Sequence, residues 1–260
     1  MADQTVIVTG AAKGIGFGIS EKFCEAGYDT ITLGRSANIL ESAEKLREKG
    51  FEAEGMICDV SDKNAVDRAV ERIFSGRESV QVLVNNAGVS ELYMFEDTTD
   101  DILDAHINVN LKGTWYMTQA VIGRMRAHRY GRIINMASVT GPMVCDRGFS
   151  AYGMTKAGIV GLTKAIAVEY AQYSITCNAI CPGYILTPGV EHDAEITNPL
   201  DPELPLKKLA EGVPLGRLGT IHEVGALAVF LAGKDAGYIT GTTQIIDGGN
   251  LLPETNAIGL

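Results

Sequence analysis

The sequence predicts an α/β protein with a doubly wound, mainly parallel sheet and helices on both faces. Short apolar, β-branched runs alternate with longer segments of helical periodicity, which is the rhythm of repeated β-α-β units. Glycine is frequent, with 30 residues in 260, and such a sheet uses glycine in its turns. A chain of 27.7 kDa suits one large core and is short for two, so we expect residues 1–260 to form a single domain.

Seven runs have the composition of strands. In chain order they are TVIVT, DTITL, EGMIC, QVLVN, RIINM, ITCNAI and TQIID. Segments with helical periodicity cover residues 15–26, 38–49, 62–74, 99–127 and 151–172. Parallel strands need crossover connections, which are usually helices, so this order predicts a seven-stranded sheet with helices between its strands.

One long segment, from about 182 to 219, is irregular. It carries five prolines between Pro188 and Pro214 and a short helical piece near 203–211. A segment this long and broken inside a compact domain is more often a lid or a binding loop than a connection. We predict a substrate lid at about 184–219.

Charge argues against one class of partner. The formal net charge is −10 and the pI is about 4.9, whereas phosphate backbones are bound by clustered Lys and Arg. We therefore expect no nucleic-acid partner. No apolar stretch reaches membrane-spanning length, and the N-terminal run lacks the basic region of a signal peptide, so we expect neither a membrane anchor nor a leader.

Cysteine and histidine usage indicates the compartment and excludes a metal. The five cysteines are odd in number and lack C-x-x-C spacing, which favours a reducing cytosol. Cys177 and Cys181 are expected on one strand, where four residues span roughly 13 Å, too far for a disulfide. The four histidines show no metal-ligand spacing, so we predict a cytoplasmic protein without a catalytic metal.

A glycine-rich turn follows the first strand. The run TGAAKGIG at 9–16 stands directly before a helix, which is the context that a dinucleotide-binding turn requires. Gly10 would form the turn, Gly14 would let backbone approach a pyrophosphate, and Gly16 would let the helix lie close to the sheet. The helix start at Ile15 would offer N–H groups to the phosphates.

The end of the second strand predicts the choice of cofactor. An acid at this point usually binds the ribose 2′-hydroxyl of NAD, whereas an arginine accommodates the 2′-phosphate of NADP. This chain has Gly34 in place of the acid, followed by Arg35 and Ser36, and Lys13 can add a second positive charge. We therefore expect NADP(H) to be favoured over NAD(H).

Tyr152 and Lys156 lie four residues apart in a predicted helix, so their side chains share one face. A phenol has an unperturbed pKa of about 10. A nearby ammonium favours the phenolate, so we expect Lys156 to lower the pKa of Tyr152 and to make it an acid and base near neutral pH.

Together these residues resemble the short-chain dehydrogenase/reductase family, in its branch of about 250 residues. The resemblance covers nearly the whole chain and implies a Rossmann fold. Its motifs, in order, are TGAAKGIG at 9–16, Asp59 with Val60, NNAG at 85–88, Asn110, Ser138, Tyr152 with Lys156, and Pro182 with Gly183 leading to Thr187. The C-terminal IDGG followed by LPET is similar to UcpA-like oxidoreductases within the family.

The resemblance implies positions along a bound nucleotide. At its adenosine end, Asp59 would bind the adenine amino group and Val60 would pack beside the ring. Asn86, Ala87 and Gly88 would line the adenosine ribose.

At the nicotinamide end, the resemblance implies a second set of contacts. Pro182 and Gly183 would border the nicotinamide, with the backbone of Ile185 and the hydroxyl of Thr187 near its carboxamide. Lys156 would bind the nicotinamide ribose.

The resemblance also implies the catalytic roles. Tyr152 would exchange the proton, Ser138 would bind the substrate oxygen, and Asn110 would place a water beside the lysine. The separation from Ser138 to Tyr152 is 14 residues, one more than is most common in the family. We expect the extra residue, in the loop 139–149, to reshape the substrate wall without moving either group.

The expected substrate is a largely apolar ketone or secondary alcohol. Apolar side chains cluster where the pocket is expected, at Tyr93, Met94, Phe95, Met143, Val144, Tyr184 and from Leu200 to Leu209. Carbonyl reductase or alcohol dehydrogenase is the leading interpretation. Hydroxysteroid dehydrogenase and 3-oxoacyl-[acyl-carrier-protein] reductase are the alternatives, and a redox sensor that binds the nucleotide without turnover is a different class.

Two surface patterns concern partners. The run Arg124, Arg126, Arg129 and Arg132 has the charge to dock an acidic acyl carrier protein, although cations near a helix C-terminus also complement its dipole. The helix 151–172 carries small residues at one-turn spacing, namely Gly158, Gly161 and Ala165. The family uses this helix for subunit contacts, so we expect a homodimer or homotetramer.

Overall fold

The computed structural model describes residues 4–253, and one parallel sheet runs through them. The strands are β1 (Thr5–Thr9), β2 (Asp29–Gly34), β3 (Ala53–Ile57), β4 (Val82–Asn85), β5 (Gly131–Met136), β6 (Ile175–Pro182), β7 (Ile185–Leu186), β8 (Gly219–Thr220) and β9 (Thr243–Ile246). The order in the sheet is β3-β2-β1-β4-β5-β6-β9, while β7 and β8 pair with each other.

Nine α-helices occur within residues 4–253. They are α1 (Gly14–Glu25), α2 (Asn38–Glu48), α3 (Lys63–Gly76), α4 (Asp100–His106), α5 (Gly113–His128), α6 (Ser150–Tyr170), α7 (Pro188–Thr197), α8 (Glu203–Glu211) and α9 (Ile221–Ala232). A π-helical segment (Ile107–Lys112) joins α4 to α5. Over this part of the chain, no helix is both long and apolar enough to cross a membrane.

The predicted α/β class and the seven parallel strands are confirmed, with strand bounds that differ by at most two residues. The helical piece expected near 203–211 is confirmed as α8, whereas α7 occupies part of the segment that was expected to be irregular. Helix α9 was not predicted. Two sequence predictions involve residues outside the described part of the chain. They are residues 1–3, where no leader is expected, and Glu254 and Thr255 of the C-terminal motif.

Successive residues of the central strands face opposite sides of the sheet, as strand geometry requires. On β1, Val6 and Val8 pack into the core formed with α1 and α9, whereas Ile7 belongs to the core formed with α3, α5 and α6. Buried apolar residues at consecutive positions are typical of a parallel sheet covered on both faces. The two helical layers hold the carboxyl ends of the strands at one edge.

The strand order reverses beside β1. The chain passes from β1 to β2 and β3 on one side and then returns to β4 on the other side. Loops leaving β1 and β4 therefore diverge and open a crevice at the carboxyl ends of the strands, where ligands bind in sheets of this kind. The candidate site lies along this edge.

Candidate active site

The turn after β1 is tightly packed against the loop after β4. Gly10 has φ +65°, and a Cβ there would lie 2.7 Å from the Cα of Ala87. A Cβ on Gly16 would lie 2.3 Å from the carbonyl oxygen of Gly10. Only glycine fits at these two positions, as the sequence predicted for a turn that brings a helix close to the sheet.

Hydrogen bonds of Asn86 link the loop after β1 to the loop after β4. Its Nδ2 donates to the carbonyl oxygens of Thr9 at 3.0 Å and Gly10 at 3.1 Å. The hydroxyl of Thr9 accepts in return from the N–H groups of Asn86 and Ala87, at 2.9 and 3.0 Å. These four bonds fix the crevice where the sheet changes direction, so Asn86 shapes the site as well as lining it.

Three adjoining cavities follow the carboxyl edge of the sheet. The first, of about 230 Å³, is lined among others by Lys13, Arg35, Ser36, Asp59 and Val60. The second, of about 260 Å³, is lined by Gly10, Lys13, Gly14, Ile15, Gly16, Asn86, Ala87, Gly88, Thr187, Pro188 and Gly189. The third, of about 190 Å³, is lined by Ile15, Asn86, Gly88, Val89, Ser90, Met136, Ala137, Ser138, Tyr152, Lys156, Pro182 and Gly183. Larger cavities at the opposite, amino edge contain none of these side chains.

The first cavity has a positive rim. Lys13 and Arg35 are both exposed, and neither forms an ion pair with an acid in residues 4–253. Among the same residues no side chain caps the N-terminus of α1, so the N–H groups of its first turn stay available to an anion. The glycine cradle, these N–H groups and the positive rim fit the phosphates of a dinucleotide.

The third cavity contains three of the four predicted catalytic side chains, those of Ser138, Tyr152 and Lys156. Ser138 follows β5, and Tyr152 is in the first turn of α6, on the opposite wall. Both side chains line this cavity, and the Ser138 hydroxyl lies near enough to the phenol of Tyr152 to favour its ionised form. The oxygen of Ser138 also accepts from the N–H of Thr140 at 3.1 Å, which fixes the hydroxyl in place.

Lys156 is buried beside Tyr152, with 5% of its surface exposed. Its Nζ donates to the carbonyl oxygen of Met136 at 2.7 Å and lies 5.5 Å from the centre of the Tyr152 ring. Burial disfavours the charged amine and lowers the pKa of Lys156 to about 8. The third cavity therefore holds a cation whose charge is sensitive to its surroundings.

The pKa of Tyr152 differs from the expectation. Burial raises it above the ordinary value of a phenol, and the nearby hydroxyl of Ser138 offsets only part of that rise. Lys156 bonds to the carbonyl oxygen of Met136 and is not among the groups that shift this pKa, so activation of the phenol by the lysine stays a prediction.

The loop 139–149 absorbs its extra residue in a local turn. The carbonyl oxygen of Val144 accepts from the N–H of Gly141 at 2.7 Å, and Gly141 has φ +105°. The segment before α4 is attached to this loop, because the N–H of Tyr93 donates to Gly148 at 3.0 Å. Ser138 and Tyr152 both line the third cavity, so the longer loop leaves the two groups together, and its effect on the substrate wall stays a prediction.

Asn110 lies in the π-helical segment and is fully buried. Its Oδ1 accepts from the N–H of Val89 at 2.8 Å, and its Nδ2 donates to the carbonyl oxygen of Val89 at 3.0 Å and to the Thr155 hydroxyl at 2.9 Å. Its backbone oxygen accepts from Thr114 at 2.7 Å. The side chain is thus used within the protein and does not line the third cavity, and the expected role of placing a water beside the lysine stays a prediction.

Other predicted residues take different positions. Ile185 is 5% exposed and packs in the core formed with α1 and α9, so only its backbone remains for a ligand. Thr187 caps α7 by accepting from the N–H of Val190 at 3.3 Å, and it also lines the second cavity. Most of the predicted apolar cluster is exposed and lines none of the three cavities, including Tyr93, Met94, Phe95, Met143, Val144, Tyr184, Leu200 and Leu204.

Sequence reasoning missed several residues of the site. Val89, Ser90, Met136 and Ala137 line the third cavity, and Thr155 binds Asn110. These residues lie at or after the ends of strands, where backbone atoms or small side chains form the cavity wall. Their residue types therefore do not mark them as site residues in the sequence. No cluster of three or more metal-ligating side chains is found within the described part of the chain.

Fold and site together define a class of protein. A parallel sheet whose switch-point cleft joins a glycine turn to a serine, tyrosine and lysine is the arrangement of an oxidoreductase that uses a nicotinamide dinucleotide. The family model described as enoyl-(acyl carrier protein) reductase matches residues 10–250. The chain belongs to the short-chain dehydrogenase/reductase family, whose members are enzymes that bind a nicotinamide cofactor and act on small molecules.

Individual relatives agree with this assignment. The chain is 46% identical to oxidoreductase UcpA of Escherichia coli strain K12 over 260 residues, covering 100% of this chain and 99% of the relative. It is 36% identical to 3-oxoacyl-[acyl-carrier-protein] reductase FabG of Pseudomonas aeruginosa over 247 residues, covering 95% and 96%. The structure of an actinorhodin polyketide ketoreductase variant with NADPH matches with a TM-score of 0.90 at 30% identity, covering 97% of this chain and 99% of that one.

The packing of Gly16 leads to a test of the glycine turn. Gly16→Ala should lower the free energy of unfolding by about 2 kcal/mol, since the added methyl group would overlap backbone. It should also raise the Kd for NADPH at least about tenfold, because part of this cost would distort the turn that contacts the phosphates. Thermal unfolding and fluorescence titration with NADPH measure both effects. The control is Gly123→Ala on α5, where a Cβ would meet no atom within 4 Å. Wild-type affinity in Gly16→Ala would contradict the assignment.

Proposed function

We propose that the chain is an NADP(H)-dependent oxidoreductase that transfers a hydride between the nicotinamide and a largely apolar ketone or secondary alcohol. The observation that carries the proposal is the third cavity, where Ser138, Tyr152 and Lys156 meet Gly88 and Pro182 at the edge of the nucleotide cleft. The glycine cradle and the free N–H groups of α1 support a nucleotide that enters this cavity with its nicotinamide end.

When bound, the reduced nicotinamide supplies the hydride that goes to the carbonyl carbon. Tyr152 gives its phenolic proton to the carbonyl oxygen and is left as phenolate, and the alcohol is formed. Ser138 donates a hydrogen bond to the same oxygen as charge builds on it, because Thr140 already occupies an acceptor position of its hydroxyl. In oxidation Tyr152 takes the proton back.

The raised pKa of Tyr152 implies that the nucleotide takes part in activating it. We propose that Lys156 leaves the Met136 carbonyl for the nicotinamide ribose and the phenol when nucleotide binds, and that its charge then stabilises the phenolate. The positive charge of an oxidised nicotinamide acts in the same direction. Asn110 contributes indirectly, by holding Val89 in the wall of the cavity.

Two observations favour NADP(H). Gly34 is fully packed, and a Cβ there would lie 3.1 Å from Ile39, so no acid stands ready for a ribose 2′-hydroxyl. Lys13 and Arg35 line the first cavity without acidic partners among the described residues, which leaves them for a 2′-phosphate. The ketoreductase with which the fold matches was solved with NADPH.

Exposed apolar side chains support the substrate class. Phe95 is 79% exposed, and Met143, Val144 and Tyr184 are also exposed. Exposed apolar side chains that form a patch are typical of a binding surface. We propose that the segment 184–219, with α7 and α8, closes over the substrate as a lid.

The position of the arginine run does not support the alternative function as a 3-oxoacyl-[acyl-carrier-protein] reductase. Helix α5 begins beside the π-helical segment at the catalytic edge and is roughly 24 Å long, so its C-terminal arginines lie toward the amino edge. Arg124 stacks on Phe74 at 4.1 Å, and Arg132 is buried. Similarity to FabG keeps this substrate class as an alternative, but the basic run does not face the site.

Assembly and compartment remain proposals. On α6, Gly158 packs on Leu111 of its own chain, whereas a Cβ on Gly161 would meet no atom within 4 Å, so only part of the small-residue stripe is left for a second subunit. Val168 on the same helix is 81% exposed, which supports a homodimer or homotetramer. All five cysteines are free thiols, which supports the cytosol.

Replacement of the catalytic phenol tests the chemistry. Tyr152→Phe should reduce kcat by at least about 100-fold, the scale of one acid or base group. NADPH affinity should stay within about twofold, because the ring is retained. Activity is followed at the NADPH absorbance over a panel of aliphatic, aromatic, steroid and 3-oxoacyl ketones. The control is Tyr238→Phe, at a fully exposed tyrosine away from the three cavities. Retained activity in Tyr152→Phe would remove Tyr152 from its role.

Replacement of the rim cation tests the cofactor. Arg35→Ala should raise the Kd for NADPH by about tenfold or more, since a charge-assisted hydrogen bond is lost, and should leave the Kd for NADH nearly unchanged. Arg47→Ala is the matched control, because Arg47 pairs with Glu44 on α2 and lines none of the three cavities. Wild-type rates with NADH that equal or exceed those with NADPH would refute the preference.

A further inference from the structure

Thr155 connects three parts of the site that no single backbone element holds together. It is fully buried on α6, between Tyr152 and Lys156 in the sequence. Its hydroxyl donates to the carbonyl oxygen of Tyr152 at 2.8 Å and accepts from Nδ2 of Asn110 at 2.9 Å. One oxygen atom thus links the helix that carries Tyr152 and Lys156 to the π-helical segment.

The link continues to the wall of the third cavity. Asn110 uses its two remaining polar contacts on the backbone N–H and C=O of Val89, which lines that cavity. A Cβ on the neighbouring Gly88 would lie 3.3 Å from Oδ1 of Asn110 and 3.7 Å from Nζ of Lys156. The amide of Asn110 and the amine of Lys156 are therefore packed against the same residue.

The bond to the Tyr152 carbonyl acts on the helix itself. A threonine hydroxyl that bonds back to a carbonyl of the preceding turn competes with the helical N–H and tends to bend the helix there. The β-branched side chain also has few rotamers in a helix, so its hydroxyl is fixed in direction. These two effects hold the turn from Tyr152 to Lys156 in one geometry.

We propose that Thr155 is a positioning residue for the proton transfer, which sets Tyr152 and Lys156 in register with the cavity wall through Asn110. This role rests on the proposed function, because it concerns the step in which Tyr152 gives or takes its proton. The hydroxyl is the necessary group, and Thr155 itself touches neither substrate nor nucleotide.

The chain contains a matched control on the same helix. Thr163 is also buried, its hydroxyl donates to the Ile159 carbonyl at 2.8 Å, and it accepts from Nδ2 of Asn135 at 2.9 Å. The two threonines thus have the same pair of bond types and the same burial. Thr163 is eight residues farther along α6, roughly 12 Å away, and lines none of the three cavities.

The test compares Thr155→Val, Thr155→Ser and Thr163→Val. Both valine variants should lower the melting temperature by similar amounts, because each leaves an asparagine N–H without its partner. Thr155→Val should also lower kcat by about 10- to 100-fold with NADPH affinity unchanged, as expected for misplaced reacting groups. Thr155→Ser keeps the hydroxyl and should retain kcat within about twofold of wild type. Thr163→Val should leave kcat unchanged.

A second readout does not depend on turnover. The ionisation of Tyr152 is followed by NMR of ¹³Cζ-labelled tyrosine, with Tyr152→Phe to assign its signal. In Thr155→Val the midpoint should rise above that of the wild type, because the phenol would no longer be held beside the Ser138 hydroxyl, which favours its ionised form. If Thr155→Val does not fold, Thr155→Ala and Thr155→Ser provide the same comparison.

The outcomes separate the two hypotheses. Equal kcat and equal Tyr152 midpoints in Thr155→Val and Thr163→Val would show that Thr155 is structural only and would overturn the inference. If the wild-type protein reduces no member of the ketone panel, the proposed function fails, while the Tyr152 midpoint still decides whether Thr155 positions the phenol.

Discussion

The burial of Lys156 is the constraint on which the site depends. An amine in the protein interior loses its hydration, and the single carbonyl of Met136 replaces little of it. The pKa falls to about 8, so the charge is kept only narrowly at neutral pH. A bound nucleotide that offers ribose hydroxyls to the amine would relieve this cost. The unfavourable free energy of burying the charged amine would therefore favour binding of the nucleotide. The bound nucleotide would in turn control the proton transfer of Tyr152.

The fold supplies the position of this cation. Met136 ends β5, Gly88 follows β4 and Gly10 follows β1, and the three strands are neighbours in the sheet. Because parallel strands end at one edge, the glycine turn and the side chains of Ser138, Tyr152 and Lys156 come from distant parts of the sequence into one cleft. Asn86 holds the first pair of loops, and Asn110 holds the second loop to the helix of Tyr152.

Much of this arrangement could be predicted from the sequence. The seven strands were found from their apolar runs, and the glycine turn from its place between strand and helix. Helices α7 and α9 were missed although their start signals are present: Thr187 before Pro188, and the capping box of Thr220 and Glu223. The π-helical segment that turns Asn110 inward has no comparable signal, since it adds a residue to a turn within a continuous helical pattern.

Electrostatics were predicted less well than geometry. A spacing of four residues places Tyr152 and Lys156 on one face, but it does not reveal that burial raises the pKa of the first and lowers that of the second. Desolvation depends on everything packed around a group, and that packing comes from strands and loops far away in sequence. The position of the arginine run relative to the site likewise depends on the length and direction of α5, which a sequence pattern does not reveal.

Titration of the Lys156 amine tests this account most directly. Lysine side chains are labelled for NMR, Lys156→Met assigns the signal, and the midpoint is measured in the protein without nucleotide. The account predicts a midpoint near 8, well below the exposed lysines of the same protein. A midpoint at the ordinary value of about 10.5 would show that the amine is not desolvated and would contradict the central role given to its burial.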